Sequence, residues 1–285
     1  MNSRRRFIKV GGTALGGAAV AGSVPLHSFA VKHSAPESFG FQVWTIRKEL
    51  VADFPGTMKK MAAMGYREME MCSPLGYSNA GFEPLNHMSG SEMKKIVEDA
   101  GLKCTSSHFN MGELRDHLDD RINWAVGLGM KQMVASSFGL PNNASVDDFR
   151  RAADQLNVIG EKTKKAGIQM GFHNHHGEFE KRGDVLIYDA LLGQFDPGLV
   201  KMQFQVAVVD IGYKAEDYFR KYPGRFISAH LADYSRESEK QVPIGRGVVN
   251  WDELFKTAEK AGVKNYYVEM DPDTFSESAR FLLNS

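Results

Sequence analysis

Four phrases recur in this chain with the same grammar: Met64-Gly65-Tyr66, Ala100-Gly101-Leu102, Ala166-Gly167-Ile168 and Ala261-Gly262-Val263. Each closes an amphipathic run and opens an apolar one. Glycine at that place fits the left-handed turn that ends a helix just before a strand. The rhythm forces the chain to alternate. Strands are expected at Phe39–Thr45, Glu68–Met71, Lys103–His108, Gln132–Ser136, Gln169–His175, Val200–Val206, Phe226–Leu231 and Tyr266–Met270. Helical periodicity fills the gaps at Ala52–Met64, Ser91–Ala100, Leu114–Leu128, Val146–Ala166, Val185–Leu192, Ala215–Lys221, Trp251–Ala261 and Phe275–Leu283. Eight strands, each followed by a helix, predict a closed (β/α)8 TIM barrel of a single domain. A doubly wound open sheet would need a glycine-rich phosphate loop after an early strand. Gly11-Gly12 and Gly16-Gly17 precede the first strand, and no such loop follows any strand. No nucleotide cofactor is expected.

Residues 1–30 follow a different rule. Ser3-Arg4-Arg5-Arg6-Phe7-Ile8-Lys9 is charged, Val10 to Val24 is apolar and rich in Gly and Ala, and Ser28-Phe29-Ala30 offers small residues for cleavage. That is the layout of an export signal, and the S-R-R-x-F-I-K phrase is similar to the twin-arginine type. The apolar run of about 15 residues is short of the roughly 20 that span a bilayer. The expected organisation is a signal over residues 1–30, read by the twin-arginine export machinery, and a barrel over 31–285, working in the periplasm or outside the cell. Lys+Arg and Asp+Glu both number 35, so the chain offers no global attraction to nucleic acid, and no nucleic-acid partner is expected. Cys72 and Cys104 fall at opposite ends of neighbouring parallel strands, so two free thiols are expected.

Chemistry in such a barrel sits at the carboxyl ends of its strands. Those ends carry Glu70, His108, Ser136, Ser137, His173-Asn174-His175-His176, Gln205, His230 and Glu269, including five of the nine histidines. Strand alternation puts His173 and His175 on one face and Asn174 and His176 on the other. Ser228 and His230 likewise share a face. Glu269 ends the apolar run Tyr266-Tyr267-Val268, where an acid is costly unless it is paired or bound to metal. His and carboxylate together suit a divalent ion such as Mn, Zn, Co or Fe, so the cluster is expected to serve as ligand or catalyst.

These residues and their surroundings resemble the sugar phosphate isomerase/epimerase superfamily, the xylose isomerase-like TIM barrels. The matching phrases are Gly40-Phe41-Gln42-Val43-Trp44-Thr45-Ile46-Arg47, Gly65-Tyr66-Arg67-Glu68-Met69-Glu70 and His173-Asn174-His175-His176-Gly177-Glu178-Phe179. Further ones are Tyr222-Pro223-Gly224-Arg225-Phe226, His230-Leu231-Ala232-Asp233, Gly245-Arg246-Gly247-Val248-Val249-Asn250-Trp251 and Val268-Glu269. The family holds one divalent metal with Glu, Asp, His and Glu from strands five to eight. The resemblance implies His230 and Glu269 at the last two positions. The first two depart from the pattern: His173 stands for the Glu, with Glu178 nearby as a substitute, and Gln205 stands for the Asp.

The family's two Glu ligands double as acid and base. With Glu269 alone remaining, symmetric epimerisation is disfavoured, and elimination, hydration or one-face enolisation is expected. The reading is a metal-dependent isomerase, epimerase, lyase or hydratase acting on a small carbohydrate. A 3-keto-glycoside outside the cytoplasm suits it best. Glu269 is the expected base, His173 or His175 the acid, and Arg236, His108, Glu70 and Trp44 the substrate contacts. Trp251, which opens a helix, is expected in the core. The alternative is a sugar-binding barrel whose metal site has degenerated.

Overall fold

The computed structural model describes residues 35–284; the expected signal lies outside them. Eight parallel strands close into a barrel: β1 Gly40–Gln42, β2 Glu68–Cys72, β3 Lys103–Phe109, β4 Gln132–Ala135, β5 Gln169–His173, β6 Val200–Gln205, β7 Phe226–Leu231 and β8 Asn265–Val268. Each strand pairs with its neighbours in sequence, and β1 closes on β8. The TIM barrel read from the alternation is therefore the observed fold. The junction glycines behave as expected: Gly167 and Gly262 take φ of 76° and 83°, a region that favours residues without a Cβ.

One expected helix gains an unexpected neighbour and a second is divided. The helix expected over Ala52–Met64 runs Phe54–Ala63 and is preceded by a separate short helix, Arg47–Ala52, because Asp53 leaves the helical region at φ −151° and its carboxylate accepts the Gly56 amide. Pro55, lacking an N–H, sits in the first turn, where none is needed. The second divides at His117 into Met111–Asp116 and Leu118–Leu128. Two small hairpins were not anticipated, Lys181–Arg182 with Val185–Leu186 and Asp233–Ser235 with Lys240–Val242. Cys104 pairs in register with Met69 and Cys72 with His108, so the two buried thiols are several residues apart along the strands and free.

The lumen is polar, where branched apolar side chains usually fill such barrels. Near its amino end Glu68 accepts hydrogen bonds from Ser38, Thr105 and Asn265, at 3.1, 3.2 and 2.8 Å. One layer higher, Glu70 accepts from Ser106 Oγ at 2.6 Å and Gln203 Nε2 at 2.7 Å, and Gln203 also reaches Ser228 at 2.9 Å. Two register shifts build this layer. The β2–β3 pairing jumps from Met69↔Cys104 to Glu70↔Ser106, and the β6–β7 pairing from Met202↔Phe226 to Gln203↔Ser228. An extra residue reverses the in–out alternation beyond it. Thr105 and Ser106 thus both contact lumen carboxylates.

The last strands carry a rigid top loop. Asp233, fully buried just past β7, accepts the amides of Tyr234, Gly245, Gly247 and Val249 and the indole N–H of Trp251. This one carboxylate gathers the Gly-Arg-Gly loop over the end of the barrel and fixes Trp251 in the core, as expected for that residue.

Candidate active site

At the carboxyl ends of the strands lies a cavity of about 90 Å³. Its deep side is a histidine cluster. The rings of His108 and His230 stack at a centroid distance of 5.1 Å, His173 lies tilted against both at 4.9 and 4.4 Å, and one nitrogen of each of the three lies within 4.8 Å of the others. All three side chains are buried.

His230 is bracketed by two carboxylates. Its Nε2 contacts Glu70 Oε2, and its Nδ1 lies 2.9 Å from Glu269 Oε2. Neutral imidazole carries one N–H. If Nε2–H goes to Glu70, the Nδ1 lone pair faces a carboxylate oxygen, and a proton or a cation must lie between them. Without a metal that place is a proton's. Burial alone would lower His230, but the charges of Glu70 and Glu269 outweigh it and push the group up to about 9. Burial would likewise raise Glu70 and Glu269, yet Glu70 is held well below the usual carboxylate range by His108 and His230, and Glu269 is lowered by His230.

These residues fit a divalent cation. A ligating histidine usually donates its other N–H to a carboxylate that fixes its tautomer, and Glu70 stands where that carboxylate belongs. His173 is kept neutral first by burial and then by its three neighbouring histidines, and its Nδ1 is a buried nitrogen without a hydrogen-bond partner. His108, His173 and His230 are thus a buried group that could hold the metal, with Glu269 beside them. Gln205 takes another part: its amide nitrogen donates to Glu269 Oε2 at 2.7 Å and its oxygen accepts the Ala207 amide at 3.2 Å. It steadies the carboxylate instead of offering an oxygen to an ion.

The other expected residues separate. His108, His175, Trp44 and Glu269 line the cavity. His175 is driven down to about 4, first by burial, so it is neutral at physiological pH. Glu70 is not a substrate contact: it is 0% exposed and its partners are all protein groups beneath His230. Glu178 does not join the cluster; its carboxylate accepts the His175 amide at 2.7 Å and faces a neighbouring cavity. Arg236 is exposed at the tip of the Asp233–Val242 hairpin and is absent from the cavity lining.

Sequence reasoning missed Gln42 and Tyr77. Gln42 points from β1 to His108 and Cys72, its Nε2 at 3.4 Å from both. Tyr77 forms a hydroxyl pair with Ser136 on the cavity wall and packs edge-on against Trp44. Burial first, with nearby acids, raises the Tyr77 hydroxyl well above its ordinary value, so it stays a donor. The signal for it was faint: one of two aromatics, Tyr77 and Phe82, in the segment after β2.

A model of the xylose isomerase-like TIM barrel family matches residues 58–284. Among curated proteins, the inosose dehydratase of Bacillus anthracis is 23% identical over 221 residues, covering 63% of this chain and 74% of its own length. The inosose dehydratase of Clostridium perfringens is 23% identical over 147 residues, 44% and 49% of the two chains. Among solved structures, a sugar phosphate isomerase/epimerase from Parabacteroides distasonis superposes with a TM-score of 0.72 at 25% identity, over 90% of this chain and 96% of that one. A probable 3-DHS dehydratase from Bacillus anthracis shares the fold, with a TM-score of 0.67 at 13% identity over 87% and 99%.

Proposed function

The chain belongs to the xylose isomerase-like TIM barrel family, whose relatives here are sugar-modifying enzymes, and we propose that it is a lyase or hydratase acting on a keto sugar. The observation that carries this is the asymmetry of the cavity. Among its lining residues Glu269 is the one carboxylate; the other groups there that can carry a proton are histidines, His108 and the neutral His175, and the hydroxyls of Tyr77 and Ser136. Symmetric epimerisation wants two like bases on opposite faces of one carbon. One carboxylate suits removal of a proton from one face.

A divalent ion held by His108, His173, His230 and Glu269 would supply polarisation of the carbonyl and so acidify the neighbouring C–H. The chain's own groups do the rest. Glu269 Oε takes that proton. The C–O bond at the next carbon then breaks, and the departing oxygen leaves with a proton; addition of water runs the same steps in reverse. The Tyr77–Ser136 hydroxyl pair is placed to donate to a substrate oxygen, and Trp44 with Tyr77 closes the side of the cavity against water. Gln205 and His230 keep the Glu269 carboxylate turned to the cavity.

The test is solvent deuterium entry beside the carbonyl of 3-keto-glucose and its glycosides. Glu269→Gln is expected to lose at least about a hundredfold in rate. No exchange and no turnover with any keto sugar would sink the reading. The proposal also places the reaction outside the cytoplasm, since residues 1–30 read as an export signal. Replacing Arg4 and Arg5 together by Lys is expected to retain the protein inside, and undiminished export would refute that part.

A further inference from the structure

His108 stands between two glutamine side chains whose amides are turned opposite ways, and each is turned by a partner other than the imidazole. Gln203, fully buried on β6, donates from Nε2 to Glu70 Oε1 at 2.7 Å and to Ser228 Oγ at 2.9 Å. An ionised carboxylate only accepts, so the amide nitrogen has to face Glu70 and the amide oxygen is left for His108. Gln42 on β1 accepts the Trp44 amide on its Oε1, which turns its Nε2 to His108 and Cys72.

The two amides dictate one tautomer. His108 Nε2 lies 2.7 Å from Gln203 Oε1 and 3.2 Å from Glu70 Oε2, both acceptors. Its Nδ1 lies 3.4 Å from Gln42 Nε2, a donor. A hydrogen on Nε2 satisfies both sides, whereas a hydrogen on Nδ1 would face another N–H and leave the Nε2 lone pair against two oxygens. The bare Nδ1 is on the cavity side: Gln42 and Cys72 line that space, and Glu70 and Gln203 are absent from its lining. At 3.4 Å the Gln42 contact is long, so the lone pair is only weakly engaged. The ring of His230 lies within 14° of parallel to that of His108 and also sets its Nε2 on Glu70, which leaves its Nδ1 toward Glu269. His173 Nδ1 has no hydrogen-bond partner.

We propose that Gln203 is a positioning residue which, with Glu70, fixes His108 as the Nε2–H tautomer and makes Nδ1 of His108, His173 and His230 the three nitrogen ligands of the divalent-ion site. This rests on the metal reading of the cluster given under the proposed function, and deepens it. A ligating histidine usually donates its other N–H to a carboxylate, a carbonyl or a water. The Gln203 amide oxygen fills that place for His108, as the Glu70 carboxylate does for His230. Three imidazoles from β3, β5 and β7 with one carboxylate, Glu269, form a nitrogen-rich set. Imidazole suits Zn, Cu, Fe or Ni, where oxygen ligands suit Mg, Ca or Mn, so the ion expected here is of the first group.

Long-range proton–nitrogen NMR on the full chain, stripped of metal by a chelator, reads the tautomer. His108 is expected to carry its proton on Nε2, and added zinc chloride is expected to move the Nδ1 resonances of His108, His173 and His230. Gln203→Met nearly keeps the volume and removes the oxygen. It is expected to bring the Nδ1–H tautomer into the His108 spectrum and to weaken zinc binding about 10–100-fold by calorimetry, with folding checked by circular dichroism. In the wild-type protein, a proton on Nδ1 of His108, zinc bound without a shift at that atom, or no zinc uptake would each overturn the ligand set, whatever the variant does. Unchanged zinc affinity in Gln203→Met would remove Gln203 as the positioning group. No sugar enters these readouts. The three Nδ1 shifts in a protein that turns over no keto sugar would uphold the ligand set and remove the lyase reading. Keto-sugar turnover with zinc on other atoms would do the reverse.

Discussion

Glu70→Gln keeps the volume of the side chain and removes its charge, so it isolates what that charge does under His230. Glu70 is fully buried and accepts from Ser106, Gln203, His108 and His230, the first two at 2.6 and 2.7 Å. The magnitude follows from His230. Its rise from 6.5 to about 9 is about 2.5 pKa units, or about 3 kcal/mol, shared between Glu70 and Glu269. Breaking one side of a buried pair costs about 3–5 kcal/mol, which agrees in size and describes the same interaction, so the two are not added. At about 2–4 °C per kcal/mol for a domain of this length, Tm is expected to fall by roughly 6–12 °C at pH 7. A histidine raised in the folded state contributes its full stability below its unfolded pKa and loses it as pH rises through the folded value. The gap between wild type and variant therefore narrows as pH passes about 9. Calorimetry on protein stripped of metal by a chelator reads both quantities, and NMR of the His230 ring is expected to show its pKa falling back toward the ordinary value. A Tm difference under about 2 °C at pH 7, or a gap that widens above pH 9, would refute the charge pairing.

Other outcomes are fixed by other parts of the fold. Glu113 is pushed up to about 7 by burial despite bonds from Ser73 and Asn110, so the fold is stabilised by its protonated form. Stability is expected to drop by about 3 kcal/mol as pH rises from 4.5 to 7, and Glu113→Gln to flatten that slope; an unchanged slope in the variant contradicts it. Asp233→Ala leaves four amides and the Trp251 indole without their acceptor and is expected to cost more than about 4 kcal/mol in chemical denaturation, whereas a loss under about 1 would show the loop to be held by other means. Protein purified without a tag or chelator is expected to carry about one divalent ion per chain, lost in His230→Ala and in Glu269→Gln. An empty site that refuses added metal would count against the cation reading and for a sugar-binding barrel.

The barrel was legible because its evidence is local. A glycine that ends a helix and an apolar run that begins a strand are read within a few residues, and the eight strands lie where those signals put them. The helix breaks were less legible, although Asp53 before Pro55 is a local stop signal in plain view. The two register shifts left no local trace, since a bulge depends on which residue of the neighbouring strand pairs across it.

Roles at the site were harder to read than positions, and the reason is geometric. His230, Glu269, His108 and His173 all meet as their places at strand ends require. What each does is set by groups across the lumen, from strands far away in sequence. Glu70 and Glu269 are 199 positions apart, yet they face opposite nitrogens of one imidazole. Glu70 looked like a pocket residue because it ends an inward-facing strand, but depth in the barrel makes it the carboxylate that orients a histidine. Gln205 looked like a weakened ligand because it replaces an acid, but the Ala207 amide claims its oxygen and leaves only its nitrogen for Glu269. Buried polar groups survive only when paired. A lumen this polar, with Glu68 and Glu70 both paired in its lower layers and an unpartnered His173 nitrogen at the top, therefore places its metal- and substrate-facing chemistry at one end of the barrel.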